Sequence, residues 1–170
     1  MRSEIATAAD ARAVAELLDS ADWSLPRRGG IEAAEPLPGM TSEEAAAMIG
    51  RASTIILVRR AGAFPMLLGC IAVEMGDAGA CTISMLAVAS EFRRMAVGRA
   101  LLEDAEQFAA DRGATQARIV VTESRRDLVA WYERRGYRPA GRREAHPARL
   151  GGDDARLPSA LRFIVLEKRL

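Results

Sequence analysis

Between Ser53 and Ala109 the apolar residues change period once, and that change limits the fold more than any other feature of the chain. Ser53 to Arg60, Met66 to Met75 and Cys81 to Val88 are apolar runs of strand length. Gly62 interrupts the first, and Gly76-Asp77-Ala78-Gly79 turns the second into the third, so the three read as an antiparallel meander. Beyond Glu91 the spacing becomes helical. Leu101, Leu102, Ala105, Phe108 and Ala109 recur at threes and fours, and Gly113 is placed to end the helix. A meander that feeds an amphipathic helix must bury that helix on one face of its sheet.

The flanking segments extend this pattern. Ile5 to Ser20 reads as a short strand running into a helix that Thr7 caps, with Val14, Leu17 and Leu18 as its stripe. Asp22 to Gly39 is a Pro- and Gly-rich loop anchored by Trp23, and Thr41 with Glu44 has the spacing of a capping box for a helix to Gly50. Downstream come a strand from Gln116 to Thr122, a short helix from Arg126 to Arg135 stopped by Gly136, and a strand from Tyr137 to Arg142. His146 to Pro158 is a loop, and Leu161 to Lys168 is a last strand. The expectation is one α/β (α+β) domain over residues 1–170: a mixed, mostly antiparallel sheet flanked by helices.

The 170 residues are 49% apolar and 28% charged, enough for one sizeable core and too little for two. Twenty-four basic residues face 23 acidic ones, which disfavours a nucleic-acid binder. Eight arginines against four acids between Glu123 and Arg149 give a local +4, open to three readings: a solvated face, steering of a phosphate-bearing ligand, or preference for an acidic partner. Cys70 and Cys81 lie in apolar runs and His146 is the sole histidine, so no metal-ligand spacing exists. No apolar run reaches membrane-spanning length and the first 15 residues carry four charges, so a soluble cytoplasmic protein is expected.

The most chemical stretch is Leu86-Ala87-Val88 followed by Arg93-Arg94-Met95-Ala96-Val97-Gly98-Arg99. A strand ends, a basic turn follows, and a helix opens near Ala96 or Val97. Helix starts leave backbone N–H groups without partners, and small residues at Ala96, Gly98 and Ala100 let an anion approach them. A pyrophosphate suits the turn; a solvated basic turn is the plain alternative. Farther on, Trp131-Tyr132-Glu133-Arg134-Arg135-Gly136-Tyr137 closes the short helix. Tyr132 is offset by one position from Leu128, Trp131 and Arg135. That suits either a hydroxyl at a cleft edge or a core ring with a wet tip.

Together the two segments resemble the GNAT family of N-acetyltransferases, from about Glu4 to the last strand. The family's coenzyme motif is Arg or Gln, two residues, Gly, one residue, then Gly or Ala, and Arg93 to Gly98 matches in frame with Ala96 where glycine is usual. The family's later motif, aromatic-Tyr-Glu-Arg-x-Gly-aromatic, matches Trp131 to Tyr137. Arg125 stands where many members have an asparagine that contacts coenzyme.

The resemblance implies a sheet splayed between its fourth and fifth strands, and transfer of acetyl from acetyl-CoA to an amine by direct attack. It implies pantetheine along Leu86 to Val88, pyrophosphate on the amides from Arg94 to Arg99, a coenzyme contact at Arg125, and Tyr132 as acid to the leaving thiolate. The acceptor is a small-molecule or peptide amine. For the base, Glu32, Glu35, Glu74 and water stay open, because Thr82, Ser84 and Met85 offer no carboxylate on the central strand. A non-catalytic coenzyme sensor of the same fold is the runner-up. The last strand is apolar on both faces, so its own chain or a partner must cover it; because members of the family often pair through this end, the resemblance implies a homodimer.

Overall fold

A computed structural model describes residues 2–20, 40–62, 66–144 and 162–170. The fold is the expected mixed α/β one, with seven strands in a mixed sheet and helices against it. The described residues form two compact units, one of residues 2–20, 40–62, 66–117 and 170, the other of residues 118–144 and 162–169.

The first unit holds β1 (Glu4–Ile5), α1 (Ala11–Ser20), α2 (Ser42–Ile49), β2 (Thr54–Arg60), β3 (Leu67–Met75), β4 (Ala80–Val88) and α3 (Val97–Ala110). Its strands run in the order β1-β2-β3-β4, each antiparallel to the next, which is the expected meander with one short strand added. Thr41 caps α2 as its spacing predicts: Glu44 N–H donates to the Thr41 hydroxyl (3.1 Å) and Thr41 N–H to the Glu44 carboxylate (2.8 Å).

β3 is buried on both faces. Cys70 and Ala72 join Val14, Leu17, Leu18, Ala45 and Met48 in the core beneath α1 and α2. Strand side chains alternate, so Gly69, Ile71 and Val73 face the other way, toward α3. Two adjacent arginines at the end of β2 tie the layers together. Arg59 donates to Asp104 of α3 (3.0 Å), which also accepts from the Ser3 N–H (2.9 Å) and hydroxyl (2.6 Å). Arg60 donates to Asp10, at the entry to α1 (2.7 Å), and to Glu4 (3.2 Å).

The second unit contains most of β5 (Gln116–Thr122), then α4 (Arg126–Glu133), β6 (Arg138–Glu144) and β7 (Phe163–Arg169), with β7 between β5 and β6. Phe163, Val165 and Leu166 are buried. The apolar faces of the last strand are thus covered by the chain itself. α3 and α4 both stop where glycine was read as the stop, because Gly113 (φ 89°) and Gly136 (φ 94°) take the left-handed conformation. Trp23, Glu32, Glu35 and His146 lie outside the described residues.

Candidate active site

β4 is irregular before it ends. Cys70 pairs with Ala87 but Ala72 pairs with Ser84, so β4 carries one extra residue there, and Met85 is left-handed (φ 55°). Past this bulge Ala87 is buried while Leu86 and Val88 are half-buried. After Val88 a single turn of 3-10 helix, Ser90–Phe92, reverses the chain. Phe92 N–H donates to the Ala89 carbonyl (2.9 Å), and Met95 N–H to the Phe92 carbonyl (3.3 Å).

Arg94 (φ 73°) and Ala96 (φ 58°) are both left-handed, a conformation that costs a residue with a Cβ about 1–2 kcal/mol. Ala96 is the N-cap of α3, and the first intrahelical bond runs from the Ala100 N–H to the Ala96 carbonyl (3.0 Å). The amides of Val97, Gly98 and Arg99 therefore have no acceptor within the helix. The Ala96 side chain supplies none, and no carboxylate stands in the first turn.

The contrast with α2 is direct, since that helix has a side-chain cap and Glu43 and Glu44 in its first turn. Arg93, Arg94 and Arg99 instead put positive charge at the positive end of the α3 dipole. Such a start repels its own surroundings and favours an external anion. Arg99 is partly occupied elsewhere: its Nε lies 2.7 Å from Glu103 Oε1, one turn along the helix. Met95, between the two left-handed residues, is 65% exposed.

The sheet sets where this start lies. A Cβ on Gly69 would fall 2.7 Å from Leu101 Cδ1 and 3.3 Å from Val97 Cγ1, so β3 receives α3 at a position without a side chain. Glu74, on β3 opposite Thr82, is six residues back along β4 from Val88, roughly 20 Å at strand spacing. Cys70 and Cys81 are free thiols in strand cores, and burial raises them to about 12 and about 11. Neither serves as a nucleophile at neutral pH.

Within the second unit, Tyr132 is the buried residue of α4, with 5% of its surface exposed. Its ring meets Trp131 edge-on (centroids 4.9 Å apart) and Tyr137 at 5.6 Å. The Tyr137 contact follows from the helix stop. Gly136 N–H donates to the Glu133 carbonyl (3.0 Å) and Tyr137 N–H to the Tyr132 carbonyl (3.2 Å), the paired bonds that bring the residue after a left-handed glycine back over the last turn. Burial pushes the Tyr132 hydroxyl well above its ordinary value, and the charge of Arg135 pulls the other way. Arg125 makes a two-pronged pair with Asp127, both contacts at 3.0 Å.

Sequence reasoning located the basic turn, the start of α3 and the tyrosine, but missed the bulge at Met85 and the close approach at Gly69. A glycine in an apolar strand was the one available signal for the latter. Among the described residues, no three His, Cys, Asp or Glu side chains converge on a metal position. Among them, too, no helix is long and apolar enough to cross a membrane.

A strand that bulges and ends at an uncapped, arginine-flanked helix start can receive an external anion. Residues 18–137 match the acetyltransferase (GNAT) family model, and the chain belongs to that family of acetyl-CoA acyltransferases. No curated protein sequence matches significantly.

Solved structures share the fold. The ribosomal-protein-S18-alanine N-acetyltransferase of Escherichia coli is 15% identical with a TM-score of 0.71, over 98% of this chain and 92% of that one. The PaiA N-acetyltransferase of Thermoplasma acidophilum, solved with coenzyme A, is 17% identical with a TM-score of 0.70 over the whole of both chains. The ribosomal-protein-alanine N-acetyltransferase of Brucella melitensis is 16% identical with a TM-score of 0.71, also over both whole chains.

Proposed function

We propose that the chain, as a single domain, transfers an acetyl group from acetyl-CoA to a primary amine of a small molecule or peptide in a reducing cytoplasm. The observation that carries this reading is the start of α3: free amides from Val97 to Arg99, no internal cap, and arginines in place of acids. The pyrophosphate sits on the amides between Arg94 and Arg99, apart from that of Met95, which donates to the Phe92 carbonyl, and Arg93 and Arg94 add long-range attraction. Pantetheine lies along the backbone of Leu86 and Val88, beyond the Met85 bulge.

The neutral amine attacks the thioester carbonyl. The C–N bond forms, the C–S bond breaks, and the electron pair leaves on sulfur. Tyr132 supplies the proton. Ordinary values are about 8.5 for a thiol and about 10 for a tyrosine, and burial raises Tyr132 further, so it enters the reaction protonated. Full transfer is uphill, but a hydrogen bond that strengthens as sulfur gains charge lowers the barrier, typically by roughly 100-fold in rate. Glu74, Glu32, Glu35 or a water chain takes the amine proton. Positioning on the α3 start supplies much of the remaining acceleration.

Thiol release from acetyl-CoA across a panel of amines tests the reading. Turnover with at least one amine is expected, and Tyr132→Phe should cut kcat about 100-fold while leaving acetyl-CoA binding intact. A coenzyme sensor without turnover is the second reading. It is favoured by the Arg125–Asp127 pair, which engages the residue at the family's asparagine position. Tight binding with no turnover on any amine would establish it.

A further inference from the structure

Residues one apart on a helix diverge by about 100° and do not normally touch. Trp131 and Tyr132 nevertheless meet edge-on, with an interplanar angle of 88° and centroids 4.9 Å apart. The cause is one turn on. Arg135 Nη1 donates to the Trp131 carbonyl (2.6 Å), and its guanidinium lies 3.4 Å over the indole ring. A planar cation on an aromatic face fixes the ring beneath it. Arg135 thus grips Trp131 at both backbone and ring, and turns the indole onto Tyr132. Tyr137 approaches the same ring at an interplanar angle of 70°. Tyr132 is bracketed by two aromatic rings, so its hydroxyl is held in one place.

We infer that Trp131, clamped by Arg135, is a positioning residue for Tyr132, setting where the tyrosine hydroxyl meets the leaving sulfur. The inference rests on the proposed role of Tyr132 as proton donor. A donor must lie within hydrogen-bond reach of the developing charge, and a ring free to change rotamer spends part of its time out of reach. Trp131 therefore acts on the chemical step and leaves coenzyme affinity alone.

Kinetics and a structural readout test this together. Trp131→Leu should lower kcat roughly five- to tenfold with the acetyl-CoA KM unchanged, Trp131→Phe should recover most of the loss, and Arg135→Gln should fall between. In a Tyr132→Phe background, Trp131→Leu should cost nothing more, because the residue it positions is gone. Full turnover in Trp131→Leu, or an equal loss with and without the Tyr132 hydroxyl, would overturn the inference alone.

Full turnover in Tyr132→Phe would instead overturn the role of the tyrosine, and the inference with it. The chain has two tyrosines, so labelling them gives a simple NMR spectrum that needs no turnover. Contacts from the Tyr132 ring to the Trp131 indole should weaken in Arg135→Gln, and their persistence at full strength would contradict the clamp.

Discussion

Gly69 on β3 faces Leu101 on α3 so closely that a β-carbon there would lie 2.7 Å from Leu101 Cδ1, and equally close to the Ala87 carbonyl oxygen. One contact is a side-chain tip that can shift; the other is backbone and cannot. Gly69→Ala must therefore push β3 and β4 apart at Ala87, just before the turn that leads into α3. A loss of about 1–3 kcal/mol is expected from overpacking, with weaker acetyl-CoA binding alongside it. Urea unfolding and calorimetry check both, and an unchanged midpoint would show that β4 does not hold Gly69 this closely.

Ala96 bears a methyl group at φ 58° in the turn proposed to offer its amides to the coenzyme. Ala96→Gly removes the left-handed penalty and gives back part of the gain as chain entropy. The net expectation is a stabilisation of up to about 1 kcal/mol with acetyl-CoA binding equal or tighter. Ala96→Val, branched at the same φ, should lose stability and coenzyme affinity together.

Asp104 makes stability depend on acid pH. Burial alone would raise its carboxyl, but hydrogen bonds from Ser3 and then Arg59 outweigh burial and hold it below the usual range. Asp10 is held down in the same way by Thr7 and Arg60, again against burial. A carboxylate depressed in the folded state stabilises fully above its unfolded pKa of about 3.9, and that contribution disappears as pH falls through the folded value. Asp104→Asn should cost about 1–2 kcal/mol at pH 7. Its deficit against wild type should close below pH 4, whereas parallel stability curves would contradict the assignment.

Gly136 holds φ 94° at the end of α4, and a Cβ there would meet only Lys168 carbons at 3.6 and 3.7 Å. Space is available, so the cost of Gly136→Ala is conformational, about 1 kcal/mol or more. The substitution also loosens the bonds that fold Tyr137 back over Tyr132. Thermal unfolding should show the stability loss, and kcat should drop while the acetyl-CoA KM holds.

What was legible in the sequence was local. The Thr41–Glu44 cap and the stops at Gly113 and Gly136 depend on neighbours within one turn, and each stands where its spacing put it. The basic turn before Val97 was legible for the same reason. The bulge at Met85 depends on how β4 registers against β3, and the meaning of Gly69 depends on where a helix about 30 residues later lands; neither partner is marked in the local sequence. Arginine partners were the hardest part. Arg99 read as anion-attracting by charge and Arg125 as a coenzyme contact by resemblance, yet each has a carboxylate nearby in sequence, Glu103 and Asp127, that engages it.

The central claim is that the α3 start binds the coenzyme through its pyrophosphate. Calorimetric titration with acetyl-CoA, beside acetyl-pantetheine that lacks the pyrophosphate, tests it most directly. Acetyl-CoA should bind with an affinity that falls as salt rises, and acetyl-pantetheine at least about 100-fold more weakly. Equal affinity for the two ligands, or no uptake of acetyl-CoA at millimolar concentration and low salt, would contradict the account.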